Sequence, residues 1–223
     1  MGKEFTRSST VIGNVPASGQ VLMFDDFEGT FNWLTSGAGV EVAQKSVAQC
    51  FRGNSSMYLC TQPTTPLKTD YVKALRYFPM LGSGLIAVDF YYQYPQSNPP
   101  GSFWIEFQHD NLLAKYTAAI KFDKDNDIWQ YKIQGETFVN ITNGDFVQSA
   151  AQWNRFRLVL DFLNFRYLSF EINSLKFDLS TILMHTAVTA DAYYSNMHLQ
   201  IFSPANASQG SIYIDDFLIS EQH

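Results

Sequence analysis

Only two of the 223 residues are cysteine, Cys50 and Cys60. Two thiols cannot make a disulfide framework or a thiolate zinc site. They form either one bridge or two buried free thiols. A hairpin centred on Gly53 and Asn54 sets Cys50 opposite Met57 rather than Cys60. Charged residues are scarce as well, at 16%, and the net charge of -6 comes with no lysine- or arginine-rich stripe. Nucleic acid is therefore not an expected partner. No apolar run approaches the roughly 20 residues that cross a bilayer as a helix, so membrane insertion is not expected either. The opening residues, MGKEFTRSSTVIGNVP, lack the apolar middle of a secretory signal. No G-x-S-x-G elbow, H-E-x-x-H pair or phosphate-cradling glycine loop occurs. His109, His185, His198 and His223 have no metal-ligand spacing. Helical periodicity is nearly absent, with Asp178–Ala192 the one segment that has room for a short helix.

What the chain has in quantity is aromatic residues, 19 Phe, 12 Tyr and 4 Trp, a load that packs well on pleated sheets. Short runs with period-two alternation follow one another between turn signals. They cover Val21–Phe27, Ser56–Thr61, Val72–Phe78, Leu85–Tyr94, Ser102–His109, Tyr116–Asp123, Ile128–Gln134, Arg155–Phe162, Tyr167–Ile172, His198–Phe202 and Ser211–Ile219. Clusters such as Leu81-Gly82-Ser83-Gly84, Lys124-Asp125-Asn126-Asp127 and Asn143-Gly144-Asp145 mark the turns. This spacing predicts an all-β, antiparallel, two-sheet sandwich over residues 21–223, preceded by a polar arm over residues 1–20.

Alternation also assigns faces, because successive side chains on a strand point to opposite sides. In Ser102–His109, Phe103, Ile105 and Phe107 make a core set, with His109 on the same side as a structural histidine. Trp104, Glu106 and Gln108 then point outward, and so do Asp89, Tyr91 and Gln93, Arg157, Glu171 and His198. In Tyr167–Ile172 the core set is Leu168, Phe170 and Ile172, with Tyr167 outward. Rings beside planar polar groups suit a sugar, whose C–H faces stack while its hydroxyls hydrogen-bond. The expected ligand-binding face therefore comprises Trp104, Glu106, Gln108, Tyr91, Gln93, Arg157 and His198.

Two segments at opposite ends of the sandwich carry a family likeness. One is Phe24-Asp25-Asp26-Phe27-Glu28-Gly29 with Trp33 and Gly53-Asn54-Ser55-Ser56; the other is Ile212-Tyr213-Ile214-Asp215-Asp216-Phe217. Together they resemble the opening and closing strands of jelly-roll carbohydrate-binding modules and the wider concanavalin A-like lectin and glucanase group. The segment Trp153-Asn154-Arg155-Phe156-Arg157-Leu158 resembles the middle of the same group. The resemblance implies a jelly-roll fold and a structural calcium held by Glu28 and Asp215, hard oxygen ligands suited to that ion.

The glucanases of that group carry an E-x-D-x-x-E strand, whereas the comparable strand here reads Glu106-Phe107-Gln108-His109-Asp110. Glycoside hydrolysis needs two suitably spaced carboxylates, so this expectation is of a non-catalytic chain. Alginate-lyase-like chemistry needs an Arg, Gln, His and Tyr cluster, and Arg157, Gln108, His198 and Tyr91 supply the types without the local motifs. The reading is a lectin-like module for a glycan or polysaccharide, outside the cell or on a virion surface. The alternatives are an assembly protein, such as a virion decoration or fibre component that forms homo-oligomers, and a glycan-degrading enzyme.

Overall fold

The computed structural model describes residues 20–38, 40–62, 70–79, 84–111, 113–144, 148–188, 193–204 and 209–222. Its strands are β1 (Gln20–Asp25), β2 (Leu34–Ala38), β3 (Val40–Ser46), β4 (Ser56–Gln62), β5 (Tyr71–Phe78), β6 (Leu85–Gln93), β7 (Ser102–Asn111) and β8 (Ala114–Asp123). They continue with β9 (Ile128–Lys132), β10 (Phe138–Asn143), β11 (Asn154–Asp161), β12 (Arg166–Ile172), β13 (Leu175–Asp178), β14 (His185–Val188), β15 (Tyr193–Phe202) and β16 (Gly210–Glu221). Two antiparallel sheets result. The front sheet runs β10-β9-β8-β7-β15-β5-β2, with β14 also paired to β8. The back sheet runs β13-β12-β11-β6-β16-β4-β3, with β1 also paired to β16.

The inward positions of both sheets meet in one aromatic core. Phe90 of β6 stacks on Phe156 at 4.6 Å and Phe217 at 5.5 Å between ring centroids. It also meets Phe103 of the front sheet edge-on at 6.2 Å. Trp129, Tyr92, Phe122 and Phe170 fill the space around them and are fully buried or nearly so. Burying each such side chain stabilises the fold by about 1.5–3 kcal/mol, and that burial holds the two sheets face to face.

Two irregularities decide where side chains point. In β12 the register slips between the pairs Val159–Ser169 and Leu160–Tyr167, leaving Leu168 as an extra residue. This bulge reverses the expected facing: Tyr167 turns inward and is fully buried, while Leu168 is only half-buried. In β16 the register slips between Asp215 and Leu218, and Asp216 takes a positive φ of 49° there. At that bulge β16 changes neighbours, from β4 up to Ile214 to β1 from Phe217 onward.

Inverted Tyr167 has a task. β8 pairs with β14 over Ala114–Thr117 and with β9 over Ile120–Asp123, so Ala119 faces a fork between the two neighbours. The Tyr167 hydroxyl reaches into that fork from the back sheet. It accepts a hydrogen bond from Ala119 N at 2.8 Å and lies 2.9 Å from Lys132 O and 3.2 Å from Ala119 O. Burial pushes its phenol well above the ordinary tyrosine range, so it remains a neutral donor.

In Asp178–Ala192, the segment with room for a short helix, β13 ends at Asp178 and β14 covers His185–Val188; residues 189–192 lie outside the described set. A three-residue 3-10 turn sits at Gln134–Glu136. Cys50 and Cys60 are free thiols. The hairpin expected around Gly53 is a longer loop, because β4 pairs back to β3 through Met57–Lys45. Most of the arm expected over residues 1–20 lies outside the described residues. Replacing Tyr167 with Phe leaves buried backbone groups at the fork without their partner. The expected cost is about 1–3 kcal/mol, read from the urea midpoint, with the denaturant slope unchanged.

Candidate functional site

β7 lies between β15 and β8 near the centre of the front sheet, and its outward residues have cross-strand neighbours in register. His198 sits opposite Glu106, Gln200 opposite Trp104 and Asn196 opposite Gln108 on the β15 side. On the β8 side, Lys121 sits opposite Trp104, Thr117 opposite Gln108 and Lys115 opposite Asp110. Farther out, β14 sets His185 opposite Thr117 and β5 sets Lys73 opposite Gln200. A wide polar face results.

Glu106 is its hub. Gln108 Nε2 donates to Glu106 Oε1 at 2.6 Å, and Lys132 Nζ lies 3.5 Å from Oε2. His198 Nδ1 stands 3.7 Å from Oε1, beyond hydrogen-bonding range. The side chains of Glu106 and His198 retain 16% and 12% of their exposure, enough for a bound chain to touch them. Burial, helped by the positive charges of Lys73 and Lys115, pushes His198 down to about 4 despite the opposing pull of Glu106. The imidazole is thus neutral near pH 7. Lys73 and Lys115 make no ion pair among the described residues, although Lys115 sits across the strands from Asp110. Asn196 Oδ1 is buried beside Gln108 with no hydrogen-bond partner among the described residues.

Trp104 marks one end of the face. Its ring packs 4.9 Å from Phe138 and 5.1 Å from Phe202, with Lys121 Nζ over it at 5.6 Å. Its indole N–H donates to Ser102 Oγ at 3.1 Å. The ring is half-buried and borders a hollow of about 190 Å³ with Gly101, Lys121, Asp123 and Phe202. At the other end, Asp110 accepts from Tyr194, which holds that phenol above its ordinary range.

The expected ligand face does not exist as one surface. Trp104, Glu106, Gln108 and His198 come together on the front sheet, whereas Tyr91, Gln93 and Arg157 belong to the back sheet and face the other way. Tyr91 is stacked under Phe51 at 3.7 Å, so its ring is covered. Arg157 Nη1 is held by Asp89 at 2.9 Å, and Arg155 binds the same carboxylate at 2.9 and 2.5 Å. Asp89 and Glu171, outward-pointing carboxylates like Glu106, lie on the back sheet and so away from it. His109 points inward as expected, its Nδ1 3.0 Å from Ser195 Oγ.

Glu28 and Asp215 organise one loop, residues 47–55. Glu28 Oε1 accepts from Asn54 N at 2.6 Å and Ser55 N at 2.8 Å, which lowers its pKa. The carboxylate lies so close to Gly53, at φ 70°, that a Cβ there would collide with it, which accounts for the glycine in that motif. Asp215 Oδ2 accepts from Phe51 N at 2.7 Å and Arg52 N at 3.1 Å, yet burial raises it to about 6. Among the described residues no three His, Cys, Asp or Glu gather as metal ligands.

Lys73, Lys115, Lys132 and Asn196 were not selected from the sequence. The available signal was the placement of each lysine inside an alternating strand, as in Val72-Lys73-Ala74 and Tyr131-Lys132-Ile133. Only the register brings Lys132 to Glu106 and sets Lys73 and Lys115 near His198.

Fold and face together define a concanavalin A-like jelly-roll sandwich with a polar, lysine-rimmed front sheet. No family model matches the sequence, and no curated protein does. Solved structures share the fold at low identity. An endo-β-1,4-glucuronan lyase from the fungus Trichoderma reesei superposes with a TM-score of 0.68 at 11% identity, over 91% of this chain and 96% of that one. An alginate lyase from Chlorella virus gives 0.56 at 13%, over 86% and 93%. Lectin I-B4 from Griffonia simplicifolia gives 0.55 at 11%, over 86% and 93%.

These neighbours overturn the expectation of a non-catalytic chain. That expectation rested on a missing carboxylate strand, which tests for hydrolysis and is silent on elimination; two proteins with this fold are lyases. The electrostatics of the face are open to direct measurement. By proton NMR, the His198 imidazole in Lys73→Met should titrate above its parent value, because a repelling cation is gone. In Glu106→Gln it should titrate below it.

Proposed function

We propose that the front sheet binds an anionic polysaccharide, a polymer of uronic acid, and cleaves it by β-elimination. The observation that carries this reading is the neutral His198 beside Glu106 and Gln108, flanked by Lys73 and Lys115, which make no ion pair among the described residues. Two free cations on a sheet face favour a polymer with a carboxylate on each residue. The lyase activity named for two proteins of this fold supports the same class of substrate.

Elimination needs three things of the protein. Cationic and amide groups must share the charge that spreads onto the uronate carboxylate, a part for Lys73 or Lys115 with Gln108. A neutral base must take the proton on the carbon next to that carboxylate, the part assigned to His198. The released electron pair forms the ring C4–C5 double bond as the C4–O glycosidic bond breaks. The imidazolium then returns its proton to the departing oxygen, so one group serves as base and acid. A bound carboxylate raises the imidazole pKa from its low resting value and so makes it a better base. Glu106, held by Lys132 and Gln108, is the anchor that orients this row.

Purified protein incubated with polyglucuronate and with alginate should release an unsaturated uronate, detected by its ultraviolet absorbance, and should release nothing from a neutral glucan. His198→Ala should cut the rate by about 100-fold or more with an unchanged melting temperature. The acid limb of kcat/KM should lie near 4, because the free enzyme acts through the unprotonated imidazole. A stable parent protein that turns over no polyuronate would remove the elimination reading.

A further inference from the structure

The back sheet carries a second recess with different chemistry. A surface cleft of about 680 Å³, within the range of small-ligand sites, opens where β6 ends and β16 begins. Its walls are Gln93, Tyr213, the Gln49 loop and the turn that holds Pro95, Gln96 and Ser97. Among the described residues no charged side chain lines it. The amides of Gln49, Gln93 and Gln96 make no side-chain hydrogen bond among the described residues, and Gln93 Oε1 is buried without a partner. An unpartnered buried carbonyl is costly, which makes a ligand or water that turns the amide and completes its bonding favourable.

The walls are rigid. Asn98 N donates to Pro95 O at 3.3 Å, and Ser211 N donates to Asn98 O at 3.0 Å, so the turn is seated on β16. Ala151, at φ 58°, donates its N–H to Tyr94 O at 2.9 Å and closes one side. The Tyr213 ring is held by Tyr58 at a centroid distance of 4.8 Å, and burial keeps its phenol neutral. A fixed ring beside three free carboxamides suits a ligand with an apolar ring face and paired hydroxyls. Each carboxamide offers donors and an acceptor in one plane, matching two adjacent hydroxyls.

We propose that this cleft is a second saccharide-binding site, selective for neutral sugar units, on the side of the molecule opposite the front sheet. The absence of lining charge distinguishes it from the lysine-rimmed face, and the proposal does not depend on elimination taking place there. A chain that binds anionic polymer on one side and neutral glycan on the other can hold a mixed polysaccharide network at the reacting face.

The test is an NMR titration of the full chain with neutral gluco-, xylo-, manno- and galacto-oligosaccharides and, separately, with an oligoglucuronate. At least one neutral oligosaccharide should shift the Gln93 and Tyr213 signals, and the oligoglucuronate should leave them in place. Gln93→Ala and Gln49→Ala should each weaken that binding by about tenfold, while Lys73→Met leaves it intact. Gln49→Ala lies in a loop and removes no hydrogen bond made by its side chain, so loss of binding there is not loss of fold. The proposal is overturned if no neutral oligosaccharide shifts the cleft signals, or if binding survives both glutamine substitutions.

Discussion

The fork in β8 governs this molecule. A strand can pair with one neighbour on each side, and β8 divides one of its sides between β9 and β14. The division would leave Ala119 with unmet backbone groups in a dry interior, where each costs about 1–3 kcal/mol. One phenol, Tyr167 from the opposite sheet, meets them. Because the fork is held open, the front sheet gains both Lys132 and His185 on its outer surface. A sheet with straight pairing along β8 would have one or the other. The polar hub at Glu106 is thus a consequence of a contact made across the core.

The two outer faces have been put to different uses. On the back sheet the charges neutralise one another at close range: Asp89 takes both Arg155 and Arg157, and Asp215 and Asp216 face the loop that carries Arg52. On the front sheet the lysines are spaced a strand apart and only some have partners. Lys132 meets Glu106 and Lys121 meets Asp123, but Lys73 and Lys115 are left over. Burial, with the charges of Lys73 and Lys115 adding to it, depresses the His198 pKa, although the chain as a whole carries a net charge of -6. Overall acidity and local basicity coexist because fields are set by neighbours within several ångströms.

Much of the architecture was legible in the order of residues. The period-two runs located most of the long strands to within a residue or two, though β15 begins five residues before its run at His198. Burying one face of a pleated strand leaves that pattern wherever the strand is half-exposed. Strands β2, β3, β10, β13 and β14 escaped notice because they lie toward the sheet edges, where less of each residue is buried and the alternation fades. The facing of Tyr167 was misread for a definite reason. A bulge at Leu168 shifts the pattern by one, and nothing in Tyr-Leu-Ser-Phe announces the extra residue.

By itself the sequence determined that the chain is an aromatic-rich β-sandwich, that Trp104, Glu106 and Gln108 share one side of a strand, and that His109 does not. Only the tertiary structure decided which strands lie side by side. It separated Tyr91, Gln93 and Arg157 from the residues with which they had been grouped, and brought Lys73, Lys115 and Lys132 to Glu106 and His198 instead. The reason is physical. Alternation tells inside from outside on one strand, but a sandwich has two outsides, and which one a strand faces depends on pairing between segments far apart in the chain.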